Sequence, residues 1–349
     1  MTYGCHIDRS PSGRSGDISR QICMMRRMIL VLFLSAAGFV LNSQENDSLL
    51  TVFWNLENFF DYRDDGTGDS DAEFSPYGSR HWTSKKFYKK CEMVSKSLFW
   101  IGDRYVRLPD VIGVAEVENK WVLERLLSST LLRKYEYKIV HRDSKDRRGI
   151  DVALMYRGSR FELLDFSFRV PAFEGVRMST RDILHVKLRR LSDGSVYDFI
   201  VNHHPSKFGG AKESEGRRVA AMESLAFMCD SLAEVSSGVE AYEGIIAMGD
   251  FNDTPDGSQF SLLEGSLQNT CSQLFEAGEG TIRYEGKWDL IDMFWVSPAI
   301  FQEARSEILR IPFLMIRDRK HPGEKPLRTY SGPRYIGGVS DHCPIVLLH

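Results

Sequence analysis

From residue 49 to the C-terminus, short apolar runs return at intervals: LLTVFWN, DVIGVAEV, YKIVHR, DVALMYR, YDFIVNHH, EGIIAMGDFN, DMFWVS and CPIVLL. Runs of about four to eight residues, rich in Val, Ile and Phe and bounded by polar or turn-forming residues, read as strands. Amphipathic segments fill some of the gaps. Phe87, Cys91, Val94, Leu98 and Ile101 mark one face of a helix over 84–101, with Ser84 as its cap. Val219, Met222, Leu225, Cys229 and Leu232 do the same over 213–234. No repeat, low-complexity tract or linker interrupts the series. The expectation is a single α/β domain over residues 44–349.

The leader is of a different kind. Arg26 and Arg27 precede the apolar run Met28–Leu34, and Ser35-Ala36-Ala37 follows. A positive segment, a short apolar core and small residues in that order describe a secretory signal peptide. The run is too short to span a bilayer comfortably and gives way to a polar tract. Residues 1–43 are therefore set aside as leader, with translation expected to start at Met24 or Met25. Export to the periplasm or medium is the expectation, and anchoring by an uncleaved leader is the alternative. A membrane span in the mature chain and a stable protein partner are not expected, and a monomer is.

Composition sets further limits. At 42% hydrophobic residues and a formal net charge of -3, the chain can bury a sizeable core but has no global attraction for polyanions. Any polyanion site must be local. The six cysteines, at 5, 23, 91, 229, 271 and 343, are scattered without CxxC spacing. That pattern excludes a zinc ribbon and a disulfide framework, although an exported chain could form a single disulfide.

Two stretches read as long loops, and long loops often carry function. Residues 61–82 are rich in Asp, Gly and Ser. Residues 317–334 hold six Lys or Arg against two acids, with Arg319, Lys320, Lys325, Arg328 and Arg334 placed to meet phosphates.

The ends of the apolar runs carry the chemistry. In chain order they present Asn55 and Glu57, Glu116 and Glu118, Asp151, His203 and His204, then Asp250, Asn252 and Asp253. Asp289 and Asp292 follow, and Asp341 and His342 precede the last run. Singly, each is an ordinary strand stop. As a series, they suggest that strand ends gather acids, amides and histidines at one rim of a sheet.

The order N-x-E, A-E, R-G-x-D, N-H-x-P, G-D-F-N, D-x-F and S-D-H resembles the endonuclease/exonuclease/phosphatase superfamily over residues 50–349. The resemblance implies a four-layer α/β sandwich, two packed mixed sheets with helices outside. It implies phosphate-ester hydrolysis with Mg²⁺ or Mn²⁺, hard ions that take oxygen ligands. Glu116 would hold the metal, with Glu57 and Asp341 beside it. His342 would be the catalytic histidine, with Asp292 its orienting carboxylate. Asp250 would position or deprotonate water, Asn55 would lie beside the phosphate or the metal, and Asn252 would hold the phosphate. His203 would be the second histidine, partnered by Asp151. Glu118 reads more naturally as a surface acid, and His204 as structural. Arg319, Lys320 and Arg328 would bind substrate.

The leading expectation is an exported nuclease. The alternative is a phosphomonoesterase or an inositol- or lipid-headgroup phosphoesterase, and a third is a non-catalytic binding module. No hydrophobic loop suited to membrane insertion is present, which speaks against a sphingomyelinase.

Overall fold

The computed structural model describes Met1, Thr2, Gly4 and residues 48–207, 210–236 and 238–349. The expected signal peptide and start site lie outside these residues. The main strands, in chain order, are β1 (Leu50–Phe59), β2 (Val111–Val117), β3 (Tyr137–His141), β4 (Asp151–Arg157), β5 (Phe161–Arg169) and β6 (Ile183–Arg190). They continue with β7 (Val196–His203), β8 (Tyr242–Asp250), β9 (Gln268–Asn269), β10 (Asp292–Val296), β11 (Arg305–Ile308) and β12 (Ile345–Leu348). Among the described residues they build two six-stranded sheets, ordered β11-β12-β1-β2-β4-β3 and β9-β10-β8-β7-β6-β5. The pairs β1–β2 and β7–β8 are parallel and their other neighbours antiparallel, so both sheets are mixed.

Alternation along β1 shows how the layers form. Leu50, Val52 and Trp54 face outward, where they meet Phe87, Cys91 and Leu98 of α1 (Ser84–Arg104) and Val122 and Leu126 of α2 (Lys120–Ser129). Phe53 faces inward with Val111 and Leu154, against Val186, Phe199 and Met248 of the second sheet. Strands covered on both faces must be apolar on both, which is why the runs look continuous rather than alternating. Helix α3 (Ala211–Ser236) contributes Met222, Leu225 and Cys229 to the core on the second sheet's side. Helices, sheet, sheet and helix make the four-layer sandwich expected from the sequence.

Local readings need correction. The cap of α1 is Thr83, whose side chain accepts the Lys86 amide at 3.5 Å, and Ser84 is the first helical residue. Strands β5 and β6 and the ten-residue α2 escaped the sequence reading. β5 is a half-exposed edge strand with a mixed pattern, and α2 is barely three turns long. The basic stretch is no plain loop. Met315–Arg317 pairs with Glu324–Pro326, and Tyr330–Ser331 with Arg334–Tyr335. Cys91, Cys229, Cys271 and Cys343 are buried free thiols. Among the described residues, no helix is long and apolar enough to cross a membrane.

Met248 of the second sheet packs closely over Gly113 of β2. A Cβ there would lie 2.6 Å from Met248 Sδ and 3.3 Å from the Phe53 ring. Gly113→Ala should therefore destabilise the domain by about 1–3 kcal/mol through overpacking. The check is a lowered urea midpoint at unchanged m-value, and an unchanged midpoint contradicts the packing.

Candidate active site

Strands β1, β2, β7 and β8 end at one rim of the sandwich, and β4 and β10 begin there. Asp250 sits across from His203 in one register and from Asp292 in the other. The two-residue period does the rest. Asn55 shares the inward face with Phe53, and Asp250 shares it with Met248. The two polar residues therefore meet across the sandwich, Asn55 Nδ2 donating to Asp250 Oδ2 at 3.0 Å.

The rim is strained. Glu57, Asn58, Glu116 and Asn252 adopt left-handed backbone conformations with φ of 47°, 51°, 61° and 52°. Non-glycine residues pay about 1–3 kcal/mol each for such geometry, and it collects at functional sites. The β1–β2 register slips between Asn55 and Phe59, and the β2–β4 register slips between Ala115 and Val117. This bulge re-aims Glu116, whose Oε2 accepts the Asn58 amide at 2.8 Å. It also defeats simple alternation for Glu118. That carboxylate is buried, accepts the Asp61 amide at 2.7 Å and lies beside Asp71. Burial, with Asp71 and Asp61 nearby, pushes its pKa up to about 9. Glu118 is neither a surface acid nor part of the site.

The proton-handling pair is compact. His342 Nδ1 and Asp292 Oδ2 are 2.7 Å apart, and both residues are buried. Burial opposes charge on the imidazole, but Asp292, Asp250 and Asp341 outweigh it and hold the pKa well above the ordinary histidine value. The other ring nitrogen, Nε2, stands 3.9 Å from both Asp250 Oδ2 and Asp341 Oδ1. Burial and the Asp292 charge push Asp250 up to about 7, against the pull of His342, the Asn252 amide and Asn55. His203 Nε2 lies 3.5 Å from the same Asp250 oxygen. Burial, then Arg181 and Arg148, keep His203 well below the ordinary value and so neutral.

The oxygen donors suit a hard divalent cation. Burial works to raise the Glu116 pKa, but Arg148, the Asn58 amide and His342 win and hold it below the ordinary range, leaving the ionised carboxylate such an ion requires. Asp341 keeps Oδ1 toward the site while Oδ2 meets Arg328 Nη2 at 3.1 Å. Asp250, Asp292 and His342 also converge closely enough to hold an ion. Their shortest contact is already the hydrogen bond between His342 and Asp292, which favours Glu116 and Asp341 as ligands.

Several sequence expectations change. Glu57 presents no free oxygen, because Arg328 Nε donates to Oε1 at 2.7 Å and the Thr329 amide donates to Oε2 at 3.0 Å. Burial and Asp341 push it up to about 7, so it braces Asp341 through Arg328 instead of joining the ligand set. Arg328 is thereby committed to two carboxylates rather than held for substrate. Asp151 does not partner His203. It accepts the Ser144 amide at 2.9 Å and faces His141 at 3.7 Å. Asn55 works mainly as a clamp, giving Nδ2 to Asp250 and accepting the Glu57 amide at 2.9 Å. Asn252 commits one amide hydrogen to the His204 carbonyl at 2.9 Å.

Arg319 and Lys320 are exposed at the tip of the ribbon beyond Met315–Arg317. That tip packs on the Gly286 turn of a second hairpin, Ile282–Tyr284 paired with Lys287–Asp289, and Ile282 at the far end of this hairpin bridges to His342. The separation is about 10 Å at the usual strand rise. Lys325 is paired with Asp318 at 3.4 Å.

Two arginines escaped the sequence reading. Arg148 lies 3.4 Å from Glu116 and donates to Asn58 Oδ1. In the motif R-G-x-D it is the arginine, not the aspartate, that reaches Glu116. Buried Arg181 donates to the His204 carbonyl at 2.6 Å and pairs with Asp146 at 3.1 Å. No local motif marks it.

A profile described as the Endonuclease/Exonuclease/phosphatase family matches residues 50–349. No curated protein sequence matches significantly. Among solved structures, the human nocturnin catalytic domain with bound sulfate is 16% identical, with a TM-score of 0.53 over 86% of this chain and 93% of that one. A Bacteroides thetaiotaomicron mannosyl-6-phosphatase is 17% identical, with a TM-score of 0.54 over 86% and 100%. D. rerio TDP2 complexed with single strand DNA product is 13% identical, with a TM-score of 0.51 over 86% and 98%. At these identities the likeness is one of fold.

Folding raises the His342 pKa, so its charged pairing should stabilise the fold fully below the unfolded value of about 6.5 and lose that contribution as pH rises through the folded value. The stability difference between wild type and His342→Gln, from urea unfolding, should thus be largest near pH 6 and shrink toward pH 10. A difference that grows with pH contradicts the assignment.

Proposed function

The chain belongs to the endonuclease/exonuclease/phosphatase family, and from that premise we propose an exported phosphodiester hydrolase, dependent on Mg²⁺ or Mn²⁺, that cleaves nucleic acid. Phosphoester hydrolysis is the family's chemistry. The observation that carries the reading is one cluster: an imidazole held cationic by Asp292, a carboxylate poised near neutrality at Asp250, and an ionised carboxylate at Glu116.

Their division of labour follows from protonation state. Asp250, clamped by Asn55 and titrating near neutral pH, suits a general base that takes a proton from the attacking water. His342 keeps its proton on Nε2 and directs it at the phosphoryl group, where charge builds as the new P–O bond forms and the old one breaks. Asp292 fixes the ring through Nδ1 and compensates its charge. A cation held by Glu116 and Asp341 would supply charge neutralisation for the phosphoryl and leaving oxygens. Arg148 and Arg181 add positive potential on the Glu116 and His203 side. Support for nucleic acid comes from the exposed Arg319 and Lys320, one ribbon length from His342 and so suited to a second phosphate. The DNA product bound by one structural neighbour is consistent with it.

The commitment of Arg328 and Lys325 to internal carboxylates removes two of the six cations from substrate. That favours, as a second reading, hydrolysis of a small phosphate monoester, as the name of the mannosyl-6-phosphatase neighbour illustrates. Parallel assays with plasmid DNA, RNA, bis-p-nitrophenyl phosphate and p-nitrophenyl phosphate separate the readings, and cleavage of the monoester alone favours the second.

Glu116→Gln should abolish turnover in a folded protein. Excess chelator should do the same, with Mg²⁺ or Mn²⁺ restoring activity and Zn²⁺ restoring it poorly. His342→Ala should lower kcat at least about a hundredfold. Full activity in chelator, or near-normal turnover without His342, refutes this division of roles.

A further inference from the structure

Beside the catalytic cluster lies a cavity of about 250 Å³, walled by Glu57, Asn58, Phe74, Arg80, Arg328 and Tyr330. It opens next to both halves of the chemistry. Asn58 donates its amide to Glu116, and Arg328 holds Asp341, the neighbour of His342. A second depression, of about 530 Å³, is lined by Lys85, Lys86, Lys89, Tyr88 and Tyr335. The two meet at a common wall. Arg80's carbonyl accepts both the Tyr330 hydroxyl, at 2.8 Å, and Lys86 Nζ, at 3.1 Å. The Tyr330 and Tyr335 rings pack edge to face at 5.5 Å between centres.

Cations and rings interleave along this path. Arg80 lies 5.2 Å over Tyr330, and Lys86 Nζ lies 4.8 Å over Tyr335 and 5.5 Å over Tyr330. Lys85 and Lys89 are exposed at the outer end, and Tyr77, 98% exposed, stands on the turn that carries Arg80. Acids temper the charge without cancelling it. Glu73 holds Arg80 at 2.7 Å, Glu92 meets Lys89 at 3.3 Å, and Glu57 is occupied by Arg328. π-faces alternating with ammonium groups suit a ligand that does the same, unstacked bases joined by phosphates. A duplex hides its base faces and gains little from such a path.

We infer that the path from Arg328 past Tyr330 and Tyr335 to Lys85 and Lys89 is a track for single-stranded nucleic acid leading into the active site. The inference rests on the nuclease reading above and narrows it to single strands. A base lies against the half-buried Tyr335, phosphates meet Lys85, Lys86 and Lys89, and the strand reaches the catalytic cluster beside Arg328.

Binding in EDTA, where turnover is suppressed, tests the track apart from the chemistry. The probe is a fluorescein-labelled single strand of about 12 nucleotides, run as DNA and as RNA, with anisotropy read across a salt series. The full-length protein should bind at least one strand more tightly than the matching duplex, with affinity falling as salt rises. The double variant Lys85→Gln/Lys89→Gln should flatten the log–log salt slope by about 1.4, at roughly 0.7 per lost phosphate contact. Tyr335→Ala should weaken binding at least about fivefold with little change of slope, and Tyr335→Phe, which keeps the ring, should bind like wild type. Thermal unfolding confirms that each variant is folded, and the exposed lysine pair decides the matter if Tyr335→Ala is not. Duplex binding as tight as single-strand binding, or a lysine pair whose loss leaves both affinity and slope unchanged, overturns the track. Hydrolysis of bis-p-nitrophenyl phosphate by the wild type with Mg²⁺ reports separately on the nuclease reading. Its presence without strand binding removes the track alone, and strand binding without it removes that reading.

Discussion

The 2.7 Å contact between Asp292 and His342 is the interaction on which the rim is organised. A buried imidazole would ordinarily shed its proton, and a buried carboxylate would ordinarily regain one. Held against Asp292, the imidazole keeps its charge. Taking both from water is costly, and Asp292 Oδ1 is left buried without a hydrogen-bond partner among the described residues, so the pair relies on its mutual contact and on a backbone held firmly in place. Ser340 Oγ accepts the His342 amide at 2.9 Å and donates to the Asn55 carbonyl. Trp54 Nε1 donates to the His342 carbonyl at 3.0 Å. The pair is therefore tied to β1 of one sheet and to the first residue of β10 in the other.

The same logic extends to the wider cluster. Asp250, Asp292, Glu116, Asp341 and Glu57 crowd one rim, and such a density of acid is tolerable only with matching cations. Arg148 stands against Glu116, and Arg328 bridges Glu57 and Asp341. Buried Lys90 donates to the Glu57 carbonyl at 2.6 Å and to Thr329 Oγ1 at 3.0 Å. Burial pulls Lys90 down to about 8, with Glu57, Glu116 and Asp341 resisting. These contacts pin the left-handed turn at Glu57 and Asn58, and that turn delivers an amide to Glu116. Strain, charge balance and ligand placement are parts of one arrangement.

Much of this was legible in the sequence because it is written in strand ends. A two-residue period and a terminal polar residue suffice to send Asn55 and Asp250 toward each other once the sheets are stacked. What could not be read depends on register or on distance along the chain. The bulge at Glu116 exists only in the pairing of β2 with both of its neighbours, so the direction taken by Glu118 was out of reach. Glu57 and Arg328 are separated by 271 positions, and nothing local in either announces the ion pair. Asp151 heads a strand in register with Val117, where its carboxylate is taken by the Ser144 amide before it can meet His203. The ribbons formed by 315–317 with 324–326 and by 330–331 with 334–335 are too short for periodicity to reveal, and they convert an apparent basic loop into a wall beside the site.

If the Asp292–His342 pair is the anchor of the site, its ionisation is the quantity to measure. Histidine-selective NMR on the metal-free protein, with His342→Gln to assign the resonance and Asp292→Asn for comparison, would follow the imidazole through a pH titration. The account predicts that His342 remains an imidazolium well above pH 6.5 in the wild type and moves down toward the ordinary histidine value when Asp292 loses its charge. A wild-type His342 that titrates at or below the ordinary value, or one indifferent to Asp292→Asn, would contradict it.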